Sequence, residues 1–205
     1  LLIDLQRLFS AVRAFEQNTR CDMSGPVNAW AGLYKDCLEP VRFGPEKTYE
    51  VAGRWLEGLD VEDWGCGLGW FRRHATGRYT GVDGTHSPWC DVHADLTTYR
   101  STTPGLLLRH VLEHNLHWQA VLDNAVASFT QRMCIVLFTP LSDETHIVVE
   151  DPGHIGVPDI SFRLEDITER LADCPFTVLH METDSTYGEE RVLLVSAPGS
   201  SPASV

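Results

Sequence analysis

The stretch Val61-Glu62-Asp63-Trp64-Gly65-Cys66-Gly67-Leu68-Gly69 decides how this chain is read. A short apolar run carries an acid near its end and passes into three glycines at alternate positions. Glycine lets a backbone turn sharply and approach a ligand closely, and a helix opening after the turn offers free N–H groups to that ligand. Alone, such a turn is as consistent with a tight connection as with a binding loop. A second acid changes the weighing, because Asp83 closes the next apolar run, Tyr79–Asp83. In nucleotide-binding α/β folds an acid about 20 residues after the glycine turn binds ribose hydroxyls.

Outward from this segment, strand and helix patterns alternate. Further strand candidates are Gly105–Leu108, Cys134–Phe138, Phe176–Glu182 and Arg191–Val195. Helical stretches lie between the candidates, most clearly at Trp118–Thr130 and Leu164–Ala172. Strands separated by helices imply a mostly parallel sheet covered on both faces. The short polar link Ser185–Gly188 makes the last two strands an antiparallel hairpin at one end of that sheet. Upstream, Gly44-Pro45-Glu46 opens a helix that runs to about Glu57 and stops at Gly58. Leu2, Leu5, Leu8, Phe9, Val12 and Phe15 mark another, from Leu1 to about Thr19. The organisation expected is a helical cap over residues 1–50, an α/β core over 51–197 in the same domain, and a disordered tail over 198–205.

Composition narrows the partners. The 205 residues are 43% hydrophobic and 22% charged, which gives one ordinary domain with a core of normal size. Sixteen Lys and Arg against 29 Asp and Glu leave a net charge of −13. A surface that acidic repels phosphate backbones and anionic membranes, so nucleic acid and membrane are poor partners. Apolar runs such as Leu106–Leu108 and Ile135–Phe138 fall far short of the roughly 20 residues of a membrane span. The first residues lack a basic leader followed by an apolar stretch, so no secretory leader is expected. Six cysteines without a C-x-x-C pair read as reduced thiols of a cytoplasmic protein, with no zinc site.

Taken together, four segments resemble the class I S-adenosylmethionine-dependent methyltransferases. Asp63-x-Gly65-x-Gly67-x-Gly69 resembles the family's first motif, which implies that Asp63, Trp64, Gly65, Cys66, Gly67 and Gly69 surround the methionine end of the cofactor. Tyr79-Thr80-Gly81-Val82-Asp83 resembles the second strand, implying that Asp83, followed by Gly84, takes the ribose hydroxyls. His93-Ala94-Asp95-Leu96 resembles the third motif, with Asp95 and Leu96 at the adenine. Leu106 to His114 is similar to the fourth strand and the turn that follows it in small-molecule members. The resemblance covers about residues 50 to 196. It implies a Rossmann-like, doubly wound, mostly parallel seven-stranded sheet with a terminal antiparallel hairpin, and S-adenosyl-L-methionine as cofactor. Trp64 is bulkier than the residue usual beside the first glycine. Arg109 stands where many members carry Ser, Cys or Asn. It has three candidate partners: the cofactor carboxylate, an acidic substrate group, or Glu113. A dehydrogenase fingerprint fits less well, since the third glycine comes one position early.

Methyl transfer is an in-line displacement, so positioning the acceptor is most of the task. An oxygen or nitrogen acceptor must also lose a proton, which a histidine near its ordinary pKa can take. His110, just past the fourth strand, is the expected base, and Arg109 the expected anchor. The spacings of His110, His114 and His117 would also suit a metal. That reading is set aside because similar stretches in the family hold none, so no metal is expected. Prolines after an Asp or Asn, a Pro-Cys nucleophile and a core lysine pair are missing, which removes several nucleic-acid subclasses. Acceptor recognition is expected from segments that decorate the sheet: Trp30, Tyr34 and Arg42, Thr139-Pro140, Asp151 to His154, and Thr186-Tyr187. From these and the post-strand turn, Tyr34, His114, His154 and Tyr187 are the substrate-binding candidates. Trp55 and Trp118 read as core. The functional expectation is O- or N-methylation of a small molecule by a monomer or homodimer. The competing readings are a binding module of this fold without turnover, and a nucleic-acid methyltransferase.

Overall fold

Alternation along the strands assigns apolar side chains to two faces, and the helices settle on both. The computed structural model describes residues 30–32, 34, 37–150, 157–171 and 173–199. In chain order its elements are α1 (Glu46–Trp55), β1 (Val61–Trp64), β2 (Tyr79–Asp83), β3 (Val92–His93) and β4 (Thr103–Arg109). There follow α2 (Trp118–Ser128), β5 (Phe129–Leu137), β6 (His146–Val149), β7 (Asp159–Ser161), α3 (Leu164–Thr168), β8 (Phe176–Glu182) and β9 (Glu189–Ser196). Seven strands form one sheet in the order β3-β2-β1-β4-β5-β9-β8, while β6 and β7 pair apart from it. The pairings from β3 through β5 are parallel; β9 is antiparallel to both β5 and β8. The fold is thus the α/β sheet with a terminal hairpin that the sequence implies.

On one face Leu106, Leu108, Met133, Ile135, Leu193 and Val195 pack with Trp118, Val121, Leu122 and Ala125 of α2 and Ile167 of α3. On the other, Leu107, Cys134, Val136, Val192 and Leu194 pack with Tyr49, Ala52 and Trp55 of α1. Trp55 and Trp118 are both buried, as expected. Trp55 fits because its indole N–H donates to the Met133 carbonyl at 3.0 Å.

The structure departs from the sequence reading in four places. The glycine loop does not open an α-helix. Gly69, with φ +68, leads instead into a single 3-10 turn, Trp70–Arg73. The connections from β2 to β3 and from β3 to β4 are likewise turns only. The helix after the fourth strand ends at Ser128, since Phe129 takes extended backbone and begins β5 as a buried residue. The hairpin of β6 and β7 was not foreseen; β6 is exposed along its length and carries no inside–outside alternation. The expected helix Leu1 to Thr19 and residues 200–205 of the tail lie outside the described residues.

Candidate active site

The strand order reverses beside β1, where β2 lies on one side and β4 on the other, and crevices form at such points beyond the carboxyl ends of parallel strands. A cavity of about 220 Å³ opens there. It is lined by Asp63, Gly65, Cys66, Gly67, Asp83, Gly84, Asp95, Leu96, Arg109, His110 and His114, together with Tyr34. The structure therefore brings most of the sequence candidates to one place.

The glycines at this point answer a steric demand. Gly65 has φ +75, and a Cβ there would run into Val111 Cγ2. Gly67 has φ +53, and a Cβ would stand 3.2 Å from the Tyr34 hydroxyl, in space facing the cavity. Asp83 Oδ2 accepts the Gly67 N–H at 2.9 Å and its Oδ1 accepts the Thr85 N–H at 2.7 Å. Each carboxylate oxygen can accept more than one bond, so capacity remains for a vicinal diol. Burial raises the Asp83 carboxyl, against the lowering by those two N–H groups. Asp63 accepts the Tyr79 hydroxyl at 2.9 Å, and burial pushes its carboxyl up to about 7. Asp95 sits at the exposed rim, where its Oδ1 accepts both the N–H and the hydroxyl of Thr97.

Four sequence assignments change. The Trp64 side chain, 0% exposed, points into the core against Tyr99 and donates to Glu62, so it does not line the cavity. Gly69 does not line it either; its missing Cβ makes room for Trp89. Tyr187 lies behind the site, with its hydroxyl donating to Asp159 Oδ2 at 2.9 Å and its ring against Phe138. Arg109 is not available as an anchor. Its side chain is 4% exposed, and its donors serve Thr48 Oγ1, the Phe43 and Pro45 carbonyls, His110 Nδ1 and Glu190 Oε1. The Tyr49 ring lies 3.8 Å from its guanidinium carbon, completing the enclosure. Glu113 is not its partner; a Glu113 oxygen accepts the Phe138 N–H, and burial raises that carboxyl to about 8.

His110 is also committed. Its backbone has φ +57, a left-handed conformation that costs a side chain about 1–3 kcal/mol and needs surrounding bonds to hold it. Arginine can only donate, so His110 Nδ1, 3.3 Å from Arg109 Nη1, carries the lone pair and Nε2 carries the proton. Nε2 donates to Glu190 Oε1 at 2.5 Å. Burial and the Arg109 and His114 charges hold the imidazole well below its usual pKa. A lone pair facing a guanidinium cannot serve an acceptor, which corrects the reading of His110 as base. Glu190, 0% exposed, was missed. It lies in β9 just ahead of the expected strand Arg191–Val195, and the register of β9 turns it inward.

His114 is arranged differently. Its Nδ1 donates to the Pro158 carbonyl at 2.9 Å and lies 3.4 Å from Asp159 Oδ1, which leaves Nε2 as the lone-pair nitrogen. Its ring meets Trp30 at 5.7 Å and Phe138 at 5.2 Å. Trp30, Tyr34 and Phe43 pack on one another and line the same cavity. His154 lies outside the described residues. Arg42 pairs with Glu46 away from the cavity, and the Thr139 hydroxyl is used by the Ile160 carbonyl. Among the described residues no group of three His, Cys, Asp or Glu is placed to hold a metal ion, and no helix is long and apolar enough to cross a membrane. Cys66, Cys90, Cys134 and Cys174 are thiols outside any disulfide.

No protein-family model and no curated protein matches the sequence. Solved structures do resemble it. A Burkholderia thailandensis 1,6-didemethyltoxoflavin-N1-methyltransferase, holding 1,6-didemethyltoxoflavin and S-adenosylhomocysteine, aligns with TM-score 0.63 at 14% identity, over 95% of this chain and 86% of its own. Magnesium protoporphyrin IX methyltransferase from Synechocystis PCC 6803, with S-adenosylmethionine bound, aligns with TM-score 0.53 at 16% identity, over 92% and 96%. A putative methyltransferase of Haloferax volcanii, in complex with the Trm112 activator, aligns with TM-score 0.53 at 13% identity, over 76% and 91%. At such identities the likeness is one of fold, and the fold is that of the class I methyltransferases.

Proposed function

We propose that this chain, built on the class I methyltransferase fold, is an S-adenosylmethionine-dependent methyltransferase that methylates oxygen or nitrogen of a small molecule. The observation that carries the reading is one cavity holding a side-chain-free cradle, Gly65 and Gly67, between the carboxylates of Asp63 and Asp83. The residues fit S-adenosylmethionine: Asp83 with Gly84 for the ribose, Asp95 and Leu96 for the adenine end, and Asp63, Gly65, Cys66 and Gly67 for the methionine end. When bound, that group supplies an activated methyl on a sulfonium. The protein's own contribution is to fix the cofactor, exclude water beneath Trp30, Tyr34 and Phe43, and orient the acceptor. Arg109, His110 and Glu190 form an internal ion-pair bridge that sets the backbone after β4. Support for a small-molecule acceptor comes from the structural neighbours that act on 1,6-didemethyltoxoflavin and magnesium protoporphyrin IX. The net charge of −13 argues against nucleic acid.

Calorimetric titration with S-adenosylmethionine and S-adenosylhomocysteine tests the reading. Binding in the micromolar range is expected. Asp83→Ala removes charge-assisted bonds of about 1.5–3 kcal/mol, and so at least about tenfold in affinity. Absence of binding by either cofactor form in the wild type refutes the proposal.

A further inference from the structure

The cavity has an acceptor side whose chemistry is unusually one-sided. Its walls there are Trp30, Phe43, Val111, His114 and Asn115. The cation lining the cavity among the described residues, Arg109, is already neutralised by Glu190 and enclosed by backbone carbonyls. Asp63, Asp83 and Asp95 line the same space, so among the described residues an anionic acceptor meets carboxylate repulsion and no free protein cation. A cationic acceptor would approach the sulfonium that the proposed function places here. Flat aromatic walls, and no usable protein cation among the described residues, leave planar, uncharged rings as the best match.

Resting on that methyltransferase reading, we infer that the acceptor is a neutral aromatic or heteroaromatic compound with a weakly acidic O–H or N–H, and that His114 is the base that receives its proton. The Pro158 carbonyl fixes the tautomer with hydrogen on Nδ1, and no described residue bonds to Nε2. Asp159 stands behind the ring, 3% exposed, with Oδ2 held by the Tyr187 hydroxyl and Oδ1 left without a hydrogen bond 3.4 Å from His114 Nδ1. A carboxylate there stabilises the imidazolium as it forms, so Asp159 and Tyr187 are positioning residues. In the step, the acceptor's proton passes to His114 Nε2 while its oxygen or nitrogen bonds to the methyl carbon. The methyl–sulfur bond breaks, its electron pair stays on sulfur, and a neutral thioether remains. This assignment transfers the base from His110, whose lone pair faces Arg109, to the histidine one turn further on.

The groups around His114 titrate in separable ways. Burial lowers its own pKa, opposed by the Pro158 carbonyl and Asp159. His110 is likewise held low, Glu113 lies at about 8 and Tyr187 at about 12. With S-adenosylmethionine saturating, so that Asp63, at about 7, does not limit binding, kcat should therefore show an acid limb below the ordinary histidine value.

The test uses the full chain with 7-hydroxycoumarin and its 3-carboxylate, a pair that differs by one anionic group. With S-adenosylhomocysteine bound, fluorescence titration should show the neutral probe binding at least about tenfold tighter than the carboxylate. Labelled S-adenosylmethionine should methylate the neutral probe. His114→Gln should lower kcat about 10²–10⁴-fold, with KM and S-adenosylhomocysteine affinity within about threefold, and should abolish the acid limb. Asp159→Asn should move that limb to lower pH. Equal or tighter binding of the carboxylate overturns the neutral-acceptor assignment, as does no binding of the neutral probe to protein that binds S-adenosylhomocysteine. Binding without methylation, or a His114→Gln enzyme within about threefold of wild type, overturns the base. Failure to bind S-adenosylhomocysteine at all falls on the methyltransferase reading instead.

Discussion

Replacing Asp63 by Asn is expected to stabilise the free protein at pH 8 and to weaken its binding of S-adenosylhomocysteine at the same pH. Burial raises the Asp63 carboxyl from 3.8 to about 7, so the folded chain holds this proton more tightly than the unfolded one. The stabilisation linked to it is complete below about pH 4 and is lost as pH rises through about 7. A displacement of about 3 pH units at about 1.4 kcal/mol each sets a ceiling of about 4 kcal/mol. Asn keeps an acceptor oxygen for the Tyr79 hydroxyl and carries no charge to desolvate. In a chain of this length 1 kcal/mol moves Tm by roughly 2–4 °C, so a gain of roughly 5–15 °C is expected at pH 8 and almost none near pH 4. Binding should run the other way. If the carboxylate receives the ligand's ammonium group, wild-type affinity should fall about tenfold per pH unit below 7, and Asn should flatten that dependence. Scanning calorimetry and isothermal titration at pH 5, 6, 7 and 8 measure both. Equal Tm for the two proteins at every pH, or equal wild-type affinity at pH 6 and 8, refutes the reasoning.

Two further substitutions probe the walls of the site. Gly65→Ala places a methyl group against Val111 in a left-handed backbone; about 1–3 kcal/mol of strain and at least tenfold weaker S-adenosylhomocysteine binding are expected by calorimetry. An unchanged affinity would remove Gly65 from the cradle. Glu190→Ala strands the buried Arg109 charge, and denaturant titration should show a loss of about 3–5 kcal/mol. A loss under about 1 kcal/mol would mean that the carbonyls of Phe43 and Pro45 suffice.

What was legible in the sequence was whatever is encoded locally. The alternating glycines after Val61–Trp64 could only be a turn, and Asp63 and Asp83 close strands whose parallel pairing places both at the same edge. Buried parallel strands carry apolar residues on both faces, however, so the sequence did not say which side Trp64 would take, and it went to the core. Charge partners were less legible still. Arg109 and Glu190 are 81 residues apart and meet only because β9 inserts antiparallel beside β5. His110 and His114 look equivalent in the string His110-Val111-Leu112-Glu113-His114. What separates them is a left-handed backbone at one and the Pro158 carbonyl, supplied from before β7, at the other. The proposed acceptor base therefore depends on a hairpin that carries no periodic signal of its own.

The sheet is covered unevenly. Among the described residues, α1, α2 and α3 pack mainly over β4, β5 and β9, while the links joining β1, β2 and β3 contain one 3-10 turn and otherwise loops. The edge strand β3 is two residues long. Regions with little apolar cover open locally at a free energy well below that of global unfolding. The thinly covered part is the one that holds Asp83, Gly84, Asp95 and Leu96. A nucleoside bridging those residues to the glycine loop would lend this flank its own binding free energy. In that role the ligand would stand in for crossover helices, steadying the flank of the sheet that the helices leave thinly covered.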